Sequence, residues 1–145
     1  MAVRKLVLEV SVPGLRALRW STDELHGGMK ETYTVARVEA GWSEWWARGK
    51  VWRVGPGSLQ ITRPGDVHRD VARDGPGASQ IVAFPASAVE GAVGRVRVPP
   101  ELAPGDERGA AFRRLHDAVA AGVDRLALEV AIAEAIDAFA RVGDA

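Results

Sequence analysis

The sequence predicts a mainly β domain followed by an antiparallel helix pair, and three observations carry that expectation. Between Pro13 and Gly109, glycine and proline recur roughly every 8–12 residues, with short Val-, Thr-, Ile- and Trp-rich stretches between them, the mark of an all-β sandwich or barrel. Beyond Pro104 that punctuation stops and apolar residues return at helical spacing. Gly122, followed by Asp124, divides this second stretch, so the two helices are joined by a turn short enough to pack them antiparallel.

Strands are expected at residues 4–10, 32–39, 42–47, 51–54, 58–62, 68–72 and 79–84. Arg48-Gly49-Lys50 is the clearest hairpin turn, its glycine supplying a positive φ. The β part spans residues 1–92, and residues 93–105, with Pro99, Pro100 and Pro104, read as a stiff connector. The helix pair spans 106–142. Asp106 caps the first helix, in which Phe112, Leu115 and Val119 share a face. Asp124 caps the second, whose stripe is Leu128, Ile132, Ile136 and Phe139, widened by Ala131, Ala135 and Ala138. Arg125, Glu129, Glu134, Asp137 and Arg141 occupy its other side. The stripe has two readings: it covers the β part, or Leu128, Ile132, Ala135, Ile136 and Phe139 form a homodimer seam.

Composition narrows the function. The 145 residues make one domain, 47% apolar and 26% charged, as in an ordinary soluble protein. Lys plus Arg equals Asp plus Glu at 19 each, which argues against binding nucleic acid or an anionic membrane with the whole domain. No stretch approaches the ~18 apolar residues of a membrane span and no apolar leader follows Met1. The absence of cysteine removes disulfides, thiolate metal sites and Cys nucleophiles, and a cytoplasmic location is expected. There is no G-x-S-x-G element, phosphate-binding glycine loop or paired carboxylate set.

The most informative segment runs from Gly57 to His68, Gly-Ser-Leu-Gln-Ile-Thr-Arg-Pro-Gly-Asp-Val-His. A strand lies between Gly57 and Pro64-Gly65, and His68 opens the next strand. Gly57, Gly65 and His68 resemble the second motif of the cupin superfamily, although Arg63 and Ala72 stand where that motif has Pro and often Asn. The resemblance implies a cupin-like double-stranded β-helix barrel with His68 at its mouth. The first cupin motif supplies His-x-His and Glu as metal ligands; those positions fall on Gly28, Lys30 and Thr34 here. An ammonium repels a cation and one histidine is too few ligands, so no metal and no other cofactor is expected.

The order of parts narrows the resemblance. Gly28-Met29-Lys30, the Trp42 to Lys50 segment, Val54-Gly55-Pro56-Gly57, Arg63 to His68 and Ile81 to Phe84 are followed by the helix pair. From about residue 26 to 141 the chain resembles the N-terminal sensing domain of AraC-type transcription regulators. That resemblance implies a small-molecule effector, homodimerisation through the C-terminal helices, and DNA contact only through a helix-turn-helix part that these residues do not contain. The alternative is a stand-alone cupin, either a small metal-dependent enzyme or a non-catalytic binding protein.

Strand alternation selects the ligand candidates. If the family's ligand positions face inward, Lys30, Thr32, Thr34, Ala36 and Val38 share one inner face, and His68, Asp70 and Ala72 another. Lys30, Thr34, His68 and Asp70 then converge between aliphatic walls, a lining for a sugar or organic acid. The competing readings are a barrel-closing hydrogen bond for His68 and solvated rim charges for Lys30 and Asp70. Four of the five tryptophans are Trp42, Trp45, Trp46 and Trp52. Trp45 and Trp46 must face opposite ways. Parity groups Trp46 with Trp42 and Glu44, and Trp46 is the candidate stacking wall, against a core role. A one-residue bulge would invert this assignment. Arg37 and Glu39 fall on the outer face, and His116 lies beside Leu115 at a helix boundary.

Overall fold

The computed structural model describes residues 4–143 except 9, 11 and 13. Its strands are β1 (Arg4–Leu8), β2 (Arg16–Thr22), β3 (Gly27–Met29), β4 (Thr32–Ala47), β5 (Lys50–Val54), β6 (Leu59–Thr62), β7 (Val67–Pro85) and β8 (Glu101–Leu102). Its helices are α1 (Ala86–Val93), α2 (Ala110–Ala121) and α3 (Arg125–Val142). The part of the expected first strand at residue 9 lies outside the described residues.

The strands form one antiparallel sheet with the order β1-β2-β7-β4-β6-β8, while β3 pairs with β7 and β5 with β4. The pair β4 and β7 is its spine, running from Thr32↔Pro85 to Ala47↔His68. The sequence suggested two strands in place of each. Gly41 and Gly75 punctuate the chain without ending a strand, because they bend it. Gly41 has φ +83°, and a Cβ there would stand 2.6 Å from the Pro76 carbonyl. The β4–β7 register shifts on both sides of Ala40 and again between Glu44 and Trp45. Such bulges let long strands curl around a shared interior.

The outward face of the sheet meets the helices. Tyr33, Val35, Leu59, Ile61, Val82 and Phe84 are buried against Phe112, Leu115, Val119, Leu128, Ala135 and Phe139. Phe139 is the centre of this layer, with the rings of Phe112, Tyr33 and Phe84 at 4.9, 5.2 and 5.3 Å, all edge to face. The Tyr33 hydroxyl donates to Glu90 at 2.8 Å and ties β4 to α1, a helix the sequence reading missed. Its signal is Pro85, which fixes the chain's φ at the helix entrance.

The start of α3 and the end of α2 fall where expected, whereas Asp106 caps a separate turn and Gly109 precedes α2. Asp124 accepts from the Ala127 amide at 2.9 Å, and Gly122 ends α2 at φ +65°. The Asp106 side chain accepts from the Arg108 amide and opens a short 3-10 turn before α2. Two expectations need correction. Residues 93–105 are more than a spacer: Val98 and Leu102 are buried, and β8 extends the sheet beside β6. In the expected dimer seam, Leu128, Ala135 and Phe139 are buried in the chain's own core, and Ile132 and Ile136 pack partly against it. Leucine and phenylalanine at this spacing find apolar partners on the sheet, while Ile132 and Ile136 keep part of their surface. Among the described residues no helix is long and apolar enough to cross a membrane.

Candidate functional site

The face of β4 and β7 opposite the helices encloses a cavity of about 270 Å3. Alternation puts Thr34, Ala36 and Val38 into it from β4, while Tyr33 and Val35 face the helices. Ser79 and Ile81 enter it from β7, and Gln80 and Val82 face away. The structure brings Lys30, Thr34, His68 and Asp70 to this one space. Trp46 is not among its lining residues, and Trp45 takes that place. The bulges around Gly41 shift β4's inward positions from even to odd numbers, so Ser43 and Trp45 face in. Trp46 is half-buried on the other face, its ring 5.8 Å from the Arg69 guanidinium.

His68 is held at the mouth by the turn before it. Asp66 gathers that turn: its carboxylate accepts from the Arg63 amide at 3.0 Å and pairs with the Arg63 and Arg48 guanidiniums at 3.1 and 3.0 Å. Arg63 therefore replaces the motif's proline with an ion pair that fixes the same bend. Burial alone would raise the Asp66 pKa, but the Arg63 hydrogen bonds and the Arg48 charge hold it below the ordinary carboxylate range. Gly65, at φ +85°, donates its amide to the Lys30 carbonyl at 2.9 Å, which anchors Lys30 beside the turn. His68 stands edge-on to Trp45, ring centres 6.2 Å apart. Desolvation and the neighbouring Lys30 charge lower its pKa, against the opposite pull of Asp70 and Asp66, so the imidazole is neutral at neutral pH.

Asp70 is already engaged. It accepts from the His26 amide at 2.9 Å and pairs with Arg73 at 3.2 Å. Arg73, Trp20, Gln60 and Thr62 also line the cavity, and none was a sequence candidate. Trp20 arrives on β2, a strand not expected from the sequence, and Arg73 is turned inward where β7 skips Val71 between the partners of Glu44 and Trp45. His26 lines the wall and bonds Thr22 through Nε2 at 3.0 Å. Lys30 keeps water on part of its ammonium at the rim, yet desolvation and the Lys5 charge lower its pKa.

Gly28, paired with His68 across β3 and β7, brings no imidazole or carboxylate to it, and neither do Lys30 or Thr34. Among the described residues no three His, Asp or Glu side chains gather as metal ligands do. What remains is a partly apolar pocket with a few convergent polar groups, the form of a small-molecule site.

A bent antiparallel barrel with such a pocket, backed by helices, is the cupin architecture. The chain belongs to the AraC-like ligand binding domain family, whose model matches residues 14–136. Among solved structures it is similar to the AraC-like transcriptional activator CuxR, at 14% identity and a TM-score of 0.66, over 91% of this chain and 52% of that one. It thus spans about half of that activator's length. It is also similar to a cupin superfamily protein from Desulfitobacterium hafniense DCB-2, at 11% identity and a TM-score of 0.51, over 58% and 78% of the two chains. The DMSP lyase DddQ from Ruegeria pomeroyi DSS-3 matches at 16% identity and a TM-score of 0.50, over 57% and 46%. Identities this low speak for the fold alone. No curated protein matches the chain.

Proposed function

We propose that this domain is the effector-sensing and pairing part of an AraC-type transcription regulator, without catalytic activity, whose DNA-contacting helix-turn-helix part lies outside these residues. One observation carries the reading. The cavity and the helix layer share the same two strands, with alternate residues of β4 and β7 serving each side. A ligand that orders the inner face therefore changes the support of α2 and α3, and its differential affinity for two helix arrangements sets the size of the response. Lys30, Thr34, His68 and Asp70 are the proposed ligand contacts, with Trp45 in place of Trp46 as the aromatic wall.

A second copy is the proposed partner of α3. The surface available for it is the outward side, where Leu126 is 72% exposed and Val130 53%, on a helix otherwise lined with charge. Screening small sugars and organic acids by tryptophan emission and thermal shift tests the sensing role. A binder is expected to raise the melting temperature and to slow amide exchange in α2 and α3. Ala36→Leu, which narrows the cavity, is expected to abolish binding. Binding that leaves the helices' exchange unchanged counts against the sensor reading. So does turnover of any bound compound.

A further inference from the structure

We infer that the effector is a small organic acid whose carboxylate sits against the Lys30 ammonium. The inference rests on the proposed sensing role and adds the charge of the ligand. It follows from which polar groups of the cavity are already used. Among the described residues Asp70 is the one carboxylate in the lining, and its Oδ2 pairs with Arg73 at 3.2 Å and accepts from the His26 amide at 2.9 Å. Arg73 is further spent on the Glu24 carbonyl at 3.2 Å. Lys30, by contrast, has no carboxylate within 4.0 Å among the described residues. A second cation approaches the same rim: Lys5, from β1, lies 5.6 Å from the ring centre of Trp20, itself a lining residue.

The uncommitted neutral groups point the same way. Trp45 Nε1 and Thr62 Oγ1 are buried without a hydrogen-bond partner, and both residues line the cavity. An indole N–H only donates, and a hydroxyl can donate. Among the described residues the cavity therefore offers donors and the Lys30 ammonium without a carboxylate partner, while the charge of Asp70 is already matched by Arg73. A ligand that presents oxygen acceptors and one negative charge uses all of them. A neutral or cationic molecule leaves Lys30 partly desolvated beside Lys5 with nothing to offset the repulsion. With about 270 Å3 available, below the ~300–1,000 Å3 of drug-sized sites, the molecule is a small metabolite.

The test uses matched pairs that differ only in charge: glucuronate against glucuronamide, and hexanoate against hexanamide, with glucose as a neutral control. Each is titrated into the wild-type chain, Lys30→Gln and Lys30→Arg, following tryptophan emission and thermal shift. At least one carboxylate is expected to bind about tenfold or more tighter than its amide, the size of a charge-assisted contact. Lys30→Gln is expected to remove that preference and Lys30→Arg to keep most of it. Lys30 is solvent-exposed, so both variants should fold, which their unliganded melting curves check. Amides binding as well as carboxylates, or a preference surviving in Lys30→Gln, overturns the inference. So does silence from both carboxylates. Glucose binding that is lost in Ala36→Leu would, in those cases, leave the sensing role standing, whereas binding of any compound unaffected by Ala36→Leu removes the cavity reading itself.

Discussion

The side-chain amide of Gln80 donates to the backbone carbonyl of His116 at 2.7 Å, joining β7 to α2 across the buried face of the sheet. The neighbours of Gln80 in β7, Ser79 and Ile81, line the cavity on the other side. Arg37, between the cavity residues Ala36 and Val38, pairs with Asp117 at 2.6 Å, so a second strand reaches the same helix. Polar contacts of this kind are directional, unlike the apolar packing around them. They are the parts of the layer most sensitive to a small shift of the strands.

Replacing Gln80 by Met should separate coupling from stability. The amide oxygen has no partner, and the His116 carbonyl sits inside a helix, so losing the donor is expected to cost about 1 kcal/mol or less in urea unfolding. Amide exchange in α2 should nevertheless speed up. A large stability loss with unchanged exchange would show that Gln80 only fills space.

His116 predicts an acid-sensitive layer. Its ring is buried, and desolvation, helped by the Arg37 charge, pushes its pKa from 6.5 down to about 3. A backbone hydrogen bond with Val35 and the Asp117 charge pull the other way, and Arg113 adds to the lowering. Between those values the unfolded chain binds a proton that the folded chain refuses. Stability is therefore fully present above pH 6.5 and falls as pH drops towards 3, by about 1 kcal/mol per unit. His116→Leu should flatten that slope in urea titrations at several pH values, after the shared carboxylate contribution is subtracted.

Phe139 and Leu126 should behave as opposites. Phe139 touches three aromatic rings and is fully buried, so Phe139→Ala is expected to cost about 3–5 kcal/mol. Leu126→Glu together with Val130→Glu should leave unfolding within about 1 kcal/mol of the parent. The same pair of changes is expected to shift the chain to a monomer in light scattering. If it stays a dimer, the outward side of α3 is not the contact.

Asp66 is the anchor of the turn that launches His68. Asp66→Asn removes a charge shared by Arg48 and Arg63, and about 2 kcal/mol of stability should go with it. The folded-state pKa is depressed, so this contribution is present above the ordinary Asp value and is lost as pH falls through the lower folded value. The difference between parent and variant should accordingly shrink in strong acid.

Much of the site was legible because strands alternate. Thr34, His68 and Asp70 reach one cavity along with Lys30, as parity predicts, whereas Thr32 and Ala72, placed inward by the same parity, do not line it. Trp46 was misplaced because parity carries only as far as the next bulge, and nothing local says whether Gly41 turns the chain or kinks it. The deciding contact is remote: Gly41 packs against Pro76 and Gly77, more than thirty residues away. Arg73 and Trp20 were missed for similar reasons, since each enters the cavity through pairings that only the folded sheet defines.

By itself the sequence determined the class of fold, the Asp124 cap, the Gly122 stop and the Gly57–His68 turn, because those depend on neighbours a few residues apart. Propensity, capping and φ are local properties of the chain. The tertiary structure alone decided which tryptophan faces the cavity, that Leu128, Ala135 and Phe139 serve the chain's own core, and that Asp70 is ion-paired while Lys30 has no carboxylate partner among the described residues. Each of those depends on register across strands or on the packing of a helix on a sheet, where one residue of slip exchanges the two faces.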